Sequence, residues 1–105
     1  MAALTIHANP DPKSRKAIPF LLDIQNDLLS SMETRVVVPL YLKGAVALHP
    51  ISRLTPVVTF QNKTYIAMVP ELAGVARRSL GTPAGDLSSK RAEIIAALDL
   101  LFTGF

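Results

Sequence analysis

The C-terminal segment Asp86 to Phe105 constrains the fold most, because it predicts a helix whose apolar surface continues to the last residue. Lys90 to Phe102 contains neither Gly nor Pro, and Asp86 and Ser88 are both good N-cap residues. Chain ends are normally frayed and polar. We therefore expect this end to be held by a core, by a second subunit or by a target.

The predicted helix carries more apolar surface than one packing face needs. One stripe at helical spacing is flanked by further apolar and small side chains, so the apolar arc is wide. This pattern predicts a helix that packs on a sheet with its inner stripe and meets a dimer mate or another partner with the rest. The stripe comprises Leu87, Ile94, Leu98 and Leu101, and beside it lie Ile95, Phe102, Ala92, Ala96 and Ala97.

The chain before the helix has the hydrophobic pattern of strands. Alternating apolar residues or runs of β-branched residues mark several segments, which Gly, Pro or polar residues separate. These signals predict a mostly β protein of antiparallel strands with one C-terminal helix. The predicted strands are Ala17 to Gln25, Thr34 to Leu42, Val57 to Phe60, Thr64 to Val69 and Val75 to Leu80.

Turn and breaker residues add detail to this pattern. Gln61-Asn62-Lys63 is a short polar turn between two predicted strands and indicates a β-hairpin. Pro39 lacks a backbone N–H, so it predicts a sheet edge or a bulge within its strand. Gly81, Pro83 and Gly85 are predicted to break the chain before the helix.

Length and hydropathy favour a small cytoplasmic protein. At 105 residues the chain fits one domain, residues 1–105, and a domain of this size buries so little surface that dimerisation would help to complete its core. No apolar run approaches the ~18 to 20 residues of a membrane helix. The N-terminus lacks the features of a secretory signal. We therefore expect neither secretion nor a membrane partner.

Residues that carry common site chemistry are sparse. The absence of cysteine excludes disulfides, thiolate catalysis and cysteine-ligated metals. His7 and His49 have no Asp or Glu at metal-motif spacing, and no Ser lies in a Gly-x-Ser-x-Gly motif. Asp23 and Asp27 favour structural roles over general acid catalysis. We expect no metal, no cofactor and no catalytic residue.

The net charge of +3 is concentrated in two small clusters. Lys13, Arg15 and Lys16 lie in a segment rich in Asn, Pro and Asp, whose composition predicts a mobile exposed loop. Arg77 and Arg78 form the other cluster. No aromatic residues interleave with either cluster, so a solvated surface is favoured over RNA binding, which stays open as the lesser alternative.

Four segments of the chain carry motifs in a characteristic order and spacing. They are Leu22 to Leu29, Thr34 to Leu40, Pro56-Val57-Val58 and Asp86 to Phe105. They combine an Asp-Ile-Gln-Asn-Asp motif, an Arg-Val-Val-Val-Pro-Leu motif and a helix that ends in Phe-x-Gly-apolar at the last residue. Together they resemble the CcdB family, and the similarity spans nearly the whole chain.

This resemblance implies the toxin of a bacterial type II toxin–antitoxin pair. The implied fold is a dimeric SH3-like barrel, shared with the MazF and Kid ribonucleases, and the implied toxin is not itself an enzyme. Members of the family bind the A subunit of DNA gyrase and trap its cleaved-DNA complex. Carried over by position, the gyrase-facing residues are Leu28, Leu29, Asp99, Phe102, Thr103, Gly104 and Phe105.

The ending departs from the family pattern at one position. The reference ending is Trp-Gly-Ile, whereas Thr103 stands here in place of the Trp and the chain contains no Trp. Loss of a stacked aromatic ring from the centre of an interface costs ~2 kcal/mol or more. Two alternatives to gyrase poisoning also stay open. One is a MazF-like endoribonuclease, for which Asp23, Thr34 and Arg35 are the candidate acid/base set, and the other is a degenerate toxin that only binds its antitoxin.

The resemblance also implies an antitoxin. Its disordered segment would fold over the toxin and silence it, and the complex would repress its own operon, so operator DNA would be bound only through the antitoxin complex. The loop residues Lys13, Ser14, Arg15 and Lys16 are the predicted antitoxin contacts, because relatives use this region and its charge would attract an acidic chain. A plain surface loop is the alternative.

Overall fold

The computed structural model describes residues 4–25, 31–44 and 53–104. Within these ranges the protein is mostly β, as predicted, with seven antiparallel strands and one C-terminal helix. The strands are β1 (Thr5–Ala8), β2 (Phe20–Asp23), β3 (Thr34–Leu42), β4 (Val57–Phe60), β5 (Lys63–Ala67), β6 (Ala73–Ala76) and β7 (Pro83–Asp86), and the helix is α1 (Arg91–Thr103).

The strands form one curled sheet, a half-barrel built around the long strand β3. Its main path runs β4-β5-β3-β2-β1-β7, and β6 pairs with β3 beside β5. β3 pairs along one side with β2, while its other side pairs first with β6 and then with β5. Val37 and Val38 in the middle of β3 are buried, whereas Val36 is half-buried and Thr34, at the start of the strand, is exposed.

Pro39 lies in this central strand, so the predicted sheet edge is wrong. The Pro39 carbonyl accepts a hydrogen bond from the Met68 N–H at 3.0 Å, on the side of β3 that faces β5 and β6. β6 pairs with residues up to Val37 and β5 with residues from Leu40 onward. The Pro39 nitrogen, which has no hydrogen to donate, therefore lies at the junction between β6 and β5, where the ladder of backbone hydrogen bonds is interrupted.

The predicted hairpin is confirmed, with a tighter turn. Phe60 pairs with Lys63, which belongs to β5, so the loop consists of Gln61 and Asn62 alone. Their φ angles are +51° and +64°, the left-handed values that a type I′ turn requires at both central positions. Asn tolerates this conformation well, and the turn twist matches that of the two strands.

Other boundaries differ from the predicted ones. β1 was not predicted, and β7 occupies a segment that was predicted to break the chain. Asp86 ends β7 and does not cap α1 directly. Its Oδ1 accepts hydrogen bonds from the Ser88 N–H and hydroxyl, at 2.9 and 2.6 Å, which opens a 3-10 turn over Ser88–Lys90. The α-helix itself begins at Arg91.

The core lies between the concave face of the sheet and α1. Its members are apolar residues from β3 and from strands on both sides of it, from the 3-10 turn after β5, from the inner face of the helix and from the residue that precedes the Ser88–Lys90 turn. They include Ile6, Leu22, Val38, Leu40, Val58, Val69, Leu87, Ile94 and Ala97. Within the described residues no helix is long and apolar enough to cross a membrane.

The strands at the two ends of the main path, β4 and β7, contact each other through Phe60 and Gly85. Gly85 of β7 packs on the Phe60 ring of β4, and a Cβ at Gly85 would lie 2.7 Å from Phe60 Cε1 and 2.9 Å from Cζ. The Phe60 ring also packs edge-on against Phe20, with 5.4 Å between ring centroids. The absence of a side chain at Gly85 therefore allows β7 to lie close against the Phe60 ring.

We predict that Gly85→Ala lowers the free energy of unfolding by about 1–3 kcal/mol, since the added methyl must displace a packed ring. Urea unfolding at fixed protein concentration measures it. As a control, the same change in a Phe60→Leu background should cost less, because the clashing ring atoms are gone, while the strain of Ala at the Gly85 φ of +159° remains in both backgrounds. Equal costs in the two backgrounds would show that the contact with the ring does not contribute.

Candidate interaction surfaces

The C-terminal end of α1 projects beyond the core and exposes apolar side chains. Phe102 is 69% exposed and Leu101 is 36% exposed, whereas Ile94 and Ala97, nearer the helix start, are fully buried. Leu101 was predicted to pack inward, which is wrong. In the last helical turn Leu100 is still half-buried, whereas the three residues that follow it are exposed. Asp99, Thr103 and Gly104 are exposed as well, and Phe105 lies outside the described residues.

Two hydrogen bonds define how the helix ends. The Gly104 N–H donates to the Leu100 carbonyl at 3.0 Å, and Gly104 has a φ of +81°. The Thr103 hydroxyl donates to the Asp99 carbonyl at 2.6 Å. A Cβ at Gly104 would meet nothing within 4 Å, so glycine serves here as a left-handed C-cap rather than to make room.

A 3-10 turn, Val69–Glu71, supports α1 from the sheet side. The Tyr41 hydroxyl on β3 donates a 2.5 Å hydrogen bond to Glu71 Oε1 in this turn. This hydrogen bond, followed by burial and by the Glu71 charge, raises the pKa of Tyr41 to about 12 from its ordinary value of 10. The neutral phenol is thus part of the platform that holds the helix.

We predict a loss of stability at high pH that depends on Tyr41. A raised folded-state pKa means that this contribution to stability is complete below the unfolded pKa near 10 and disappears as the pH rises toward about 12. The measurement compares the unfolding free energy of the unmodified protein with that of Tyr41→Phe across this range. The variant lacks the titrating hydroxyl and should lose less stability as the pH rises. Parallel plots of unfolding free energy against pH for the two proteins would contradict the prediction.

A buried polar network lies beneath the N-terminal end of β3. Arg35 Nε donates to Asp23 Oδ2 at 2.9 Å, and the two side chains are only 8% and 11% exposed. Asp23 Oδ1 accepts from the Gln25 N–H, and Gln25 Oε1 accepts from the Val36 N–H, both at 2.9 Å. The structure therefore brings Asp23 and Arg35 together, but as a buried ion pair that links β2 to β3. Thr34 beside them is exposed.

The basic loop between β1 and β2 is organised by its own polar side chains. Lys13, Arg15 and Lys16 are exposed, as predicted. Ser14 is half-buried, and its hydroxyl accepts from Asn9 Nδ2 at 3.0 Å and donates to Asp11 Oδ2 at 3.2 Å. Of the four predicted antitoxin contacts, Ser14 thus faces the loop interior, and the three basic residues face outward.

Other residues considered from the sequence lie apart from these surfaces. His7 Nδ1 lies 3.2 Å from the Gly81 carbonyl, and among the described residues no cluster of His, Asp or Glu has the geometry to hold a metal ion. Arg77 and Arg78 are exposed in a 3-10 turn after β6. Leu28, Leu29, Asp27 and His49 lie outside the described residues.

The model of one protein family, described as CcdB protein, matches residues 4–104. The match covers nearly the whole chain, from the residue before β1 to the cap of α1. This chain belongs to the CcdB family. It is therefore a toxin of a toxin–antitoxin system. The match includes both the exposed end of α1 and the basic loop, so both candidate surfaces of this CcdB-family toxin lie within the shared architecture.

Sequence reasoning missed two features of this CcdB-family toxin. Asn9 is buried and organises the basic loop, and only the Asn-Pro-Asp-Pro composition, typical of side-chain-stabilised turns, hinted at it. A shallow pocket of about 300 Å³ also lies beside α1, lined by Arg53, Pro56, Val57, Glu93 and Ala96. No local sequence signal marks it, because its walls come from the segment leading into β4 and from the helix.

Proposed function

We propose that this CcdB-family toxin poisons DNA gyrase by binding its A subunit and trapping the cleaved-DNA complex. The observation that carries the proposal is the 69% exposure of Phe102 on the last turn of α1. Exposure of a large aromatic side chain to water is unfavourable, and aromatic residues are over-represented among interface hot spots. Binding to gyrase, the known target of the family, would bury this side chain.

The proposed contact surface comprises Asp99, Phe102, Thr103 and Gly104 at the described end of the helix, together with Phe105, Leu28 and Leu29. The capping hydrogen bonds at Thr103 and Gly104 fix the direction of the chain end, which lowers the entropic cost of binding. In the proposed homodimer two such helix ends would face a two-fold symmetric target together, so each contact would be made once by each protomer.

Thr103 is the position where the family's reference ending has Trp. The Thr103 hydroxyl donates to the Asp99 carbonyl, and the remaining methyl group is much smaller than the indole ring of a Trp. In our proposal Phe102, which precedes it on the same turn, provides the main aromatic contact. Binding would then be centred one residue earlier, and toxicity would depend on Phe102 more than on Thr103.

The endoribonuclease alternative depends on Asp23, Thr34 and Arg35. Catalysis of RNA cleavage requires an acid or base within hydrogen-bond reach of the substrate. Asp23 and Arg35 are turned toward each other in a buried pair, and Asp23 also accepts the Gln25 N–H. This geometry supports a structural role for the pair and favours gyrase poisoning over RNA cleavage.

The antitoxin is proposed to bind the basic loop and to act in the cytoplasm, where gyrase is found. Lys13, Arg15 and Lys16 are exposed on it, and their charge suits a disordered acidic segment that folds on binding. In this proposal the toxin–antitoxin complex represses its own operon, with the antitoxin providing the contacts to operator DNA.

Three parallel assays distinguish the candidate functions. The purified protein is incubated with gyrase and supercoiled DNA, with RNA alone, and with the antitoxin encoded in the same operon. Gyrase-dependent linear DNA is the expected result. RNA fragments formed without gyrase would establish the ribonuclease instead. Antitoxin binding with neither kind of cleavage would identify a degenerate toxin.

A further inference from the structure

We infer that Asn9 is the positioning residue for antitoxin recognition, because it holds the basic loop in one conformation before the antitoxin arrives. The inference rests on the proposed antitoxin contact at Lys13, Arg15 and Lys16. It adds that the loop is a preformed surface and that its shape depends on a buried side chain that does not itself meet the antitoxin.

Asn9 lies at the root of the loop and is only 8% exposed. Its Nδ2 donates to the Ile18 carbonyl at 2.8 Å and to the Ser14 hydroxyl at 3.0 Å, while its Oδ1 accepts the Asp11 N–H at 3.1 Å. Its backbone N–H donates to the Pro19 carbonyl at 3.0 Å. One side chain therefore joins the beginning, the middle and the end of the loop.

Asp11 and Ser14 extend this network toward the basic residues. Asp11 Oδ1 accepts the Lys13 N–H at 2.9 Å, and the Asp11 carbonyl accepts the Ser14 and Arg15 N–H groups at 3.2 and 3.0 Å. The Ile18 N–H donates to the Ser14 carbonyl at 2.9 Å. The backbone that carries Lys13 and Arg15 is thus tied, through Asp11 and Ser14, to the buried Asn9 amide.

Such a loop would lower the cost of binding a disordered partner. The antitoxin segment must lose its own conformational freedom on binding, so a loop that is already ordered avoids a second entropic cost. Charge and shape would then act on different steps. The three basic side chains speed the encounter through long-range attraction, whereas the Asn9 network keeps the bound partner in place.

The test measures association and dissociation rates for the antitoxin encoded in the same operon. Asn9→Ala should raise the dissociation rate about tenfold, while the association rate and its salt dependence stay nearly unchanged. Replacement of Lys13, Arg15 and Lys16 by Ser should instead lower the association rate and weaken its salt dependence. Ser14→Ala, a milder change in the same network, should act like Asn9→Ala and provides the readout if Asn9→Ala folds poorly.

Val58→Ala is the matched control. Val58 is buried in β4, so its truncation destabilises the core without changing the loop. It should leave both rates unchanged. If the antitoxin dissociates from Asn9→Ala and Ser14→Ala at the normal rate, while the variant without the three basic residues binds it poorly, the inference is overturned and the proposed antitoxin contact stands. If the variant without the three basic residues binds the antitoxin normally, the proposed contact itself is refuted. Gyrase poisoning should persist in all of these loop variants.

Discussion

Removal of Thr103 to Phe105 is expected to abolish gyrase poisoning and to leave the fold intact. Thr103 and Gly104, the two removed residues that the structure describes, are both exposed and take no part in the core. Among the described residues, the truncation removes the Thr103 hydroxyl and Gly104 N–H hydrogen bonds that close the last turn, a cost of about 1 kcal/mol or less at an exposed helix end. Half-buried Leu98 and the buried part of α1 remain in place.

The functional cost should be much larger than the structural one. Removal of a single interface hot spot commonly costs 2 kcal/mol or more, which corresponds to about thirtyfold in affinity. The truncation removes several proposed contacts and also frees the turn that carries Phe102. The measurement is the amount of gyrase-dependent linear DNA across a toxin titration. Unchanged antitoxin binding by the truncated protein provides the folding control, and unchanged poisoning would refute the proposed surface.

Replacement of Arg35 by Met is expected to cause the largest loss of stability. It leaves the Asp23 carboxylate buried without the guanidinium that pairs with it at 2.9 Å. Breaking a buried ion pair from one side typically costs about 3–5 kcal/mol. Chemical denaturation at fixed protein concentration measures the change, and fixed concentration matters because the apparent stability of the proposed homodimer would depend on it.

The double variant Asp23→Asn with Arg35→Met is the matched control. It removes both charges and should be less destabilising than Arg35→Met alone, since no uncompensated charge stays buried. The Asn side chain also retains an oxygen that can accept the Gln25 N–H, as Asp23 does. A double variant that is less stable than Arg35→Met by the full cost of Asp23→Asn would show that the two residues are energetically independent.

The elements predictable from the sequence are those whose signals are local. β3 has the predicted bounds because its β-branched run is long, and the β4-β5 hairpin follows from two apolar runs around a short polar turn. β1 and β7 have four residues each, and β7 contains Pro83 and Gly85. These two strands exist because they pair with each other and, for β1, with β2, and this tertiary pairing leaves no periodic signal in so short a segment.

The candidate surfaces were predictable only in part for a related reason. Helical spacing placed Leu101 on the inner stripe with Ile94, yet its exposure depends on where the half-barrel ends along the helix axis. Composition predicted an exposed basic loop between β1 and β2. It did not reveal that Asn9 is buried beneath it, because burial of one polar residue depends on the carbonyl and hydroxyl groups that the fold brings around it.

The measurement that tests gyrase poisoning most directly compares the unmodified protein with Phe102→Ala in the gyrase cleavage assay. Val57→Ala is the control, since Val57 is 51% exposed and its truncation likewise removes exposed apolar surface. We predict linear DNA that requires gyrase from the unmodified protein and from Val57→Ala, and little or none from Phe102→Ala. Equal cleavage by all three would contradict the role of Phe102, and no cleavage by an unmodified protein that binds its antitoxin would contradict gyrase poisoning.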